Sequence, residues 1–150
     1  MHLRSSRAGN MKILAVDPGL EKIGLAVSDA TGTVARALTT LRHQTSVQAC
    51  ELILQTLRAE QVETIILGSS HEPGKPMDEM ARFTHRLLAD LRAAAGVPVL
   101  LVDESFSTQT AQKVRRERGE SKKKRRSPDD ALAAAAFLQE YLDAQANQTK

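Results

Sequence analysis

Aromatic side chains are scarce in this chain: no tryptophan, one tyrosine and three phenylalanines, 3% of 150 residues. That scarcity argues against a base-stacking platform of the RRM or single-strand-binding OB type, which needs exposed rings to receive nucleobases. Cysteine is almost missing too. Cys50 has no second cysteine with which to form an intrachain disulfide, which suits a cytoplasmic protein. The four histidines (His2, His43, His71, His85) show no recognisable zinc-ligand spacing. No apolar run approaches the roughly 20 residues that cross a bilayer, so no membrane partner is expected. The opening "MHLRSSRAGN" lacks the apolar segment of a secretory signal. Residues 1–10 are therefore expected to be a flexible extension before a single domain at 11–150, with Met11 a second candidate initiator.

Charge is present in quantity but nearly balanced, 21 Lys and Arg against 18 Asp and Glu, a net +3. Its distribution says more than its sum. "KVRRERGESKKKRR", from Lys113 to Arg126, carries nine basic residues and two acidic ones. Such a run either is a solvated loop or gathers a polyanion, above all nucleic acid. With few aromatics to stack on bases, contacts would go to phosphates.

The regular elements follow from apolar patterning. In "KILAVDPGLEKIGLAVSD" (Lys12 to Asp29), Ile13 to Val16 reads as a buried strand, Pro18-Gly19 as a turn, and Ile23 to Val27 as the hairpin partner. "TVARALTTL" (Thr33 to Leu41) gives a third strand. "SVQACELILQTLRAE" is a helix capped at Thr45 or Ser46, with a stripe of Val47, Leu52, Ile53 and Leu57. "VETIILGSS" is a strand, Met77 to Ala95 a helix stopped by Gly96, and "VPVLLVDESFST" a strand. Residues 107–117 read as helical, 118–126 as a mobile basic loop, and Ser127 opens a last helix. The order βββαβαβαα predicts an α/β fold: a mixed five-stranded sheet, a three-stranded antiparallel meander plus two parallel strands, flanked by helices. It is the element order of the ribonuclease H-like fold.

Carboxylates mark three places. Asp17 ends the first strand, Asp103-Glu104 follow the last, and Asp129-Asp130 lie in the first turn of the final helix. Each has a plain alternative. Asp17 could bond turn amides, and Ser127-Pro128-Asp129-Asp130 is a sound helix start without any chemistry. Helical phase nevertheless separates the last pair: Asp130 heads the apolar stripe of Ala134, Phe137, Leu138 and Tyr141, while Asp129 projects towards the side of Glu140 and Asp143. An acid at the head of an apolar stripe needs a partner. "ALAAAA" (Ala131 to Ala136) is nearly free of bulk, so this helix can lie close to a sheet. Alternation sends Asp103 and Glu104 to opposite faces, and only one of the two can join Asp17. Converging acids without nearby cations call for protonation or a hard metal ion, Mg²⁺ or Mn²⁺.

"ILAVDPGLEKIGLAVSD", "VLLVDESFST" and "PDDALAAAAFLQEYL" resemble the three blocks of the YqgF family, also called RuvX, of Holliday junction resolvases and pre-16S ribosomal RNA nucleases. The resemblance covers nearly all of residues 11–143. It implies a ribonuclease H-like fold, with Asp17, Glu104 and Asp130 as catalytic, metal-binding acids. For the Asp103-Glu104 pair it is the resemblance that selects Glu104. The chain departs from the family pattern at Lys22 and Ser105, where Arg is usual, and at Gly68-Ser69-Ser70, where Gly-Leu-Pro is usual.

The expected function is thus a divalent-metal-dependent endonuclease acting on structured RNA or branched DNA. A two-metal site with ions about 4 Å apart would serve in-line attack on phosphorus. Lys22 and Thr108 are candidate phosphate contacts. Lys113, Arg115, Arg116, Arg118, Lys122, Lys123, Lys124, Arg125 and Arg126 would gather the nucleic-acid backbone, and His71 is a candidate proton shuttle. A homodimer stays open. Two other classes compete: a non-catalytic nucleic-acid-binding module, and a phosphotransferase of the actin and sugar-kinase type. The latter shares the Asp-x-Gly hairpin but needs a second half for which this chain leaves no room.

Overall fold

The computed structural model describes residues 12–104 and 130–148. In chain order their elements are β1 Ile13–Asp17, β2 Lys22–Ser28, β3 Ala35–Arg42, α1 Ser46–Glu60, β4 Thr64–Ser69, α2 Glu79–Ala94, β5 Val99–Asp103 and α3 Asp130–Gln148. The expected helix over 107–117 and loop over 118–126 lie outside the described residues. The strands form one sheet in the order β3-β2-β1-β4-β5. β1 pairs antiparallel with β2 and β2 with β3, whereas β1–β4 and β4–β5 are parallel. β1 therefore lies where the antiparallel and parallel halves meet.

Alternation along the strands divides the apolar residues between two cores. Leu14, Val16, Ile23, Leu25, Val27, Ile65 and Leu67 pack with α1 and α2 on one face. Ile13, Ala15, Ala26 and Ile66 pack with Ala134, Phe137 and Leu138 of α3 on the other. The sheet residues beneath α3 include two alanines, and α3 itself is alanine-rich, so helix and sheet approach closely. No described helix is long and apolar enough to cross a membrane.

Several boundaries differ from the sequence expectation. β3 begins at Ala35 rather than Thr33 because the Asp29 carboxylate accepts from the amides of Thr33 (2.8 Å) and Val34 (3.2 Å), holding both in the turn. β4 begins at Thr64, and Asp78 caps α2, accepting from the Ala81 amide at 2.8 Å, so that Met77 stays outside the helix. In α1 the Thr45 cap holds, but Val47 is 60% exposed; Ala49, Cys50, Ile53, Leu54 and Leu57 form the buried stripe. Val47 lies six residues before Ile53, about 120° round the helix from it at 3.6 residues per turn.

Candidate active site

Asp17 is the last residue of β1, at the edge of the sheet where the parallel strands end. It follows the odd-numbered residues Ile13 and Ala15, so it belongs to the face that α3 covers. Its two strand neighbours on that face are glycines. Gly24 of β2 is its register partner. Gly68 of β4 comes one residue after Leu67, which pairs with Val16.

Both glycines leave room for an acid. A Cβ on Gly24 would collide with the main-chain carbonyl of Asp130 and lie 2.7 Å from that residue's own Cβ. A Cβ on Gly68 would lie 2.6 Å from Glu104 Oε2 and 2.7 Å from its Cδ. The three acids thus sit along one row of the sheet, with Asp17 in the middle. Gly24 and Gly68 give no sign of this role in the sequence, because only the strand register reveals it.

Glu104 is placed by a continuation of β5. Its amide donates to the Ser69 carbonyl at 3.0 Å, one step beyond the Ser69–Asp103 pair. Alternation then turns Glu104 towards the α3 face, where it is 8% exposed, while Asp103 is exposed to solvent. The choice that alternation alone left open is resolved in favour of Glu104. Asp130 is placed by α3 and by a residue that no sequence signal singles out. Thr40, the β3 partner of Gly24, offers its Oγ1 to the Ala131 amide at 3.2 Å. A first-turn N–H that has no intrahelical acceptor is thereby satisfied across the sheet. The apolar stripe expected beneath Asp130 is present: Ala134, Phe137 and Leu138 are fully or almost fully buried.

The carboxyls perturb one another. Burial is the largest influence on Glu104, and the neighbouring Asp17 charge adds to it, so its pKa is pushed up to about 9. Burial also raises Asp17, to about 6; the hydrogen bond from Glu104 opposes that rise and the Asp130 charge assists it. Both shifts run upward, so the two carboxyls hold a proton in the hydrogen bond between them and titrate as a pair. Among the described residues no group of three or more His, Cys, Asp or Glu side chains is arranged so that it could hold a metal ion. The direct contact is between Asp17 and Glu104, and Asp130 acts on Asp17 through space.

A cleft of about 110 Å³ opens beside Glu104, lined by Pro18, Gly68, Ser69, Ser70, His71 and the start of α2. His71 faces this cleft, but its Nε2 is bonded to the Lys75 carbonyl at 2.9 Å within its own loop, so the ring is fixed by the loop and not by an acid. Lys22 opens β2, two residues before Gly24 and on the same face. The turn that follows Asp17 is held from behind by His43, whose Nε2 donates to the Gly19 carbonyl at 2.7 Å and whose amide donates to Glu21 at 3.0 Å. That imidazole is buried and stacked on Phe83 with ring centroids 5.0 Å apart. Thr108, Lys113, Arg115, Arg116, Arg118, Lys122, Lys123, Lys124, Arg125 and Arg126 lie outside the described residues, as do Ser105 and Asp129.

The sequence profile of the RuvX family, described as Holliday junction resolvase, matches residues 11–144. A protein of Thermoanaerobacter pseudethanolicus named "Putative pre-16S rRNA nuclease" is 34% identical over 139 residues, spanning 92% of this chain and 100% of its own length. One of the same name from Anaeromyxobacter sp. (strain Fw109-5) is 38% identical over 133 residues, spanning 89% and 97%. Among solved structures, T. thermophilus RuvC in complex with Holliday junction substrate superposes with a TM-score of 0.60 at 22% identity, covering 91% of this chain and 96% of that one. The fowlpox virus Holliday junction resolvase gives 0.52 at 13% identity, covering 89% and 99%. These two structures establish the resolvase-type, ribonuclease H-like fold.

Proposed function

The chain belongs to the RuvX family of Holliday junction resolvases, and from that membership we propose that it is a divalent-metal-dependent nuclease. Its substrates would be the phosphodiester bonds of structured RNA, at the 5′ end of pre-16S ribosomal RNA, or of branched DNA. One observation carries the reading. Buried Glu104 is paired with half-buried Asp17, with a third acid, Asp130, beside them, and the sheet is cleared by glycine under both outer acids.

That arrangement suits a hard cation. All the donors are carboxylate oxygens, which fits Mg²⁺ or Mn²⁺ and disfavours zinc. Asp17, Glu104 and Asp130 would hold the ion, with Asp17 shared between its two neighbours. When bound, the metal supplies an activated water and neutralises charge on the phosphate. The protein's part is positional and electrostatic. Strand β1 fixes Asp17, and His43 steadies the turn beyond it. The Ser69 carbonyl fixes the backbone of Glu104, and Thr40 fixes the start of α3. The proton shared by Asp17 and Glu104 must leave before both can act as ligands, so binding competes with protonation.

The test is cleavage of a pre-16S RNA 5′ fragment and a synthetic four-way DNA junction, side by side, in Mg²⁺ and in Mn²⁺. Wild type should cut at least one of them, and only with metal present. Asp17→Asn should cut neither while still folding. Divalent metal should raise the melting temperature of wild type more than that of Asp17→Asn, because it binds only the native site. Undiminished cleavage by Asp17→Asn, or by wild type in excess chelator, would overturn the assignment.

A further inference from the structure

Beyond the row that holds the acids, the sheet carries a feature that its own stability does not explain. Lys22 and Arg42 are register partners at the ends of β2 and β3. Directly opposed side chains on neighbouring antiparallel strands lie about 5 Å apart, and like charges so placed repel. Neither residue makes an ion pair with any described residue. Glu21 lines an open hollow together with Arg42, yet forms no salt bridge with it. Arg42 is exposed and Lys22 partly so.

Position gives the pair its meaning. Gly24 and Thr40 are themselves partners, and both lie beneath the first turn of α3. Lys22 and Arg42 come two residues further along the same strands, on the same face and beyond the helix start. Two residues of strand span about 7 Å. The cations therefore lie one short step from the Asp17–Asp130 side of the acids, on a part of the sheet that α3 leaves open. Acids that must receive a polyanion repel it. A pair of cations at this distance offsets that repulsion and defines a second point of attachment.

We propose that Lys22 and Arg42 together form a phosphate-binding subsite. It would hold a backbone phosphate of the nucleic-acid strand adjacent to the one being cut, and so set the direction in which the strand crosses Asp17. Arg42 supplies a planar fork able to take two oxygens of one phosphate, and Lys22 a point charge beside it. The subsite rests on the nuclease reading and adds a named contact to it.

The experiment measures binding without cleavage. A fluorescein-labelled four-way DNA junction and a labelled RNA stem-loop are titrated in EDTA, over a series of salt concentrations, with wild type, Lys22→Gln, Arg42→Gln and the double variant. Arg58→Gln, which removes an exposed cation of α1, is the control for net charge. Each single variant should weaken binding several-fold. The double variant should flatten the log–log salt slope by about 1.4 to 1.8 units, two contacts' worth of released counterions. Arg58→Gln should track wild type. Without nucleic acid, Arg42→Gln should melt at or above the wild-type temperature, because a repulsion has been removed, so lost binding cannot be put down to unfolding. A double variant that keeps the wild-type slope and affinity, or falls no further than Arg58→Gln, overturns the subsite. Were wild type to cleave normally in that case, the nuclease reading would stand. Wild type that neither binds nor cuts either probe would overturn both.

Discussion

Replacing Gly68 by alanine adds one methyl group at the point where the structure has least room for it. The new Cβ would lie 2.6 Å from Glu104 Oε2, 2.7 Å from Cδ and 3.0 Å from Oε1, where ordinary contact begins near 3.4 Å. The carboxyl must therefore retreat by about 0.8 Å. Its backbone cannot follow, because the Glu104 amide is bonded to the Ser69 carbonyl on the strand that carries the substitution. The movement falls on the Glu104 side-chain torsions, which can yield at little cost. Overpacking a rigid core costs about 1–3 kcal/mol; here the obstructing group is the end of a flexible side chain, so the cost should be about 1 kcal/mol or less. Catalysis has no such tolerance. For Glu104 as the proposed metal ligand, a displacement of about 1 Å is expected to lower the rate by about 10²-fold. The expected phenotype is thus a protein that melts within a few degrees of wild type but turns over about a hundredfold more slowly at saturating metal and substrate. Single-turnover cleavage and a thermal melt in chelator measure the two quantities. Turnover within about threefold of wild type would refute the reasoning, since it would mean that the rate is indifferent to where the Glu104 carboxyl sits.

Two further outcomes follow from the same geometry. Folding raises the pKa of Asp17 from 3.8 to about 6 and of Glu104 from 4.5 to about 9. Their contribution to stability is fully present below the unfolded values and is lost as pH rises through the folded ones. The metal-free protein should therefore melt at progressively lower temperature from about pH 5 to pH 9. Glu104→Gln should flatten the upper part of that fall, and added metal should restore most at the alkaline end; a wild-type melting temperature in EDTA that climbs from pH 6 to 9 contradicts the shared-proton account. Thr40→Val keeps the shape of the side chain but removes the acceptor for the Ala131 amide. It should cost about 1–2 kcal/mol and slow cleavage by loosening Asp130, and a variant equal to wild type in both respects would show that α3 is held without it.

Periodicity in the sequence was enough to locate most strands and helices, since Ile13 to Val16 and the α1 segment carry their own signals. It also set Asp130 at the head of a buried stripe, because helical phase is a local property. It could not choose between Asp103 and Glu104. That choice depends on how far β5 keeps pairing with β4, and the pairing extends to Glu104 only because its amide reaches Ser69. Gly24, Gly68, Thr40 and Arg42 were invisible for a related reason: each matters through what lies across from it on another strand. The start of β3 lies after Thr33 and Val34 because the Asp29 side chain captures their two amides, which strand propensity alone would place in β3.

The order in which the three acids occur along the chain has a consequence for synthesis. Asp17 is made early, Glu104 later, and Asp130 belongs to the last described helix, whose packing closes the second face of the sheet. Translation delivers these segments in that order, with earlier parts able to fold first. A nascent chain that has made the five described strands and Glu104 therefore owns two of the three acids, and the face that α3 covers is not yet covered by it. The full acid row exists only once the segment containing α3 has emerged and docked, so the proposed site cannot assemble while only the described strands have been made.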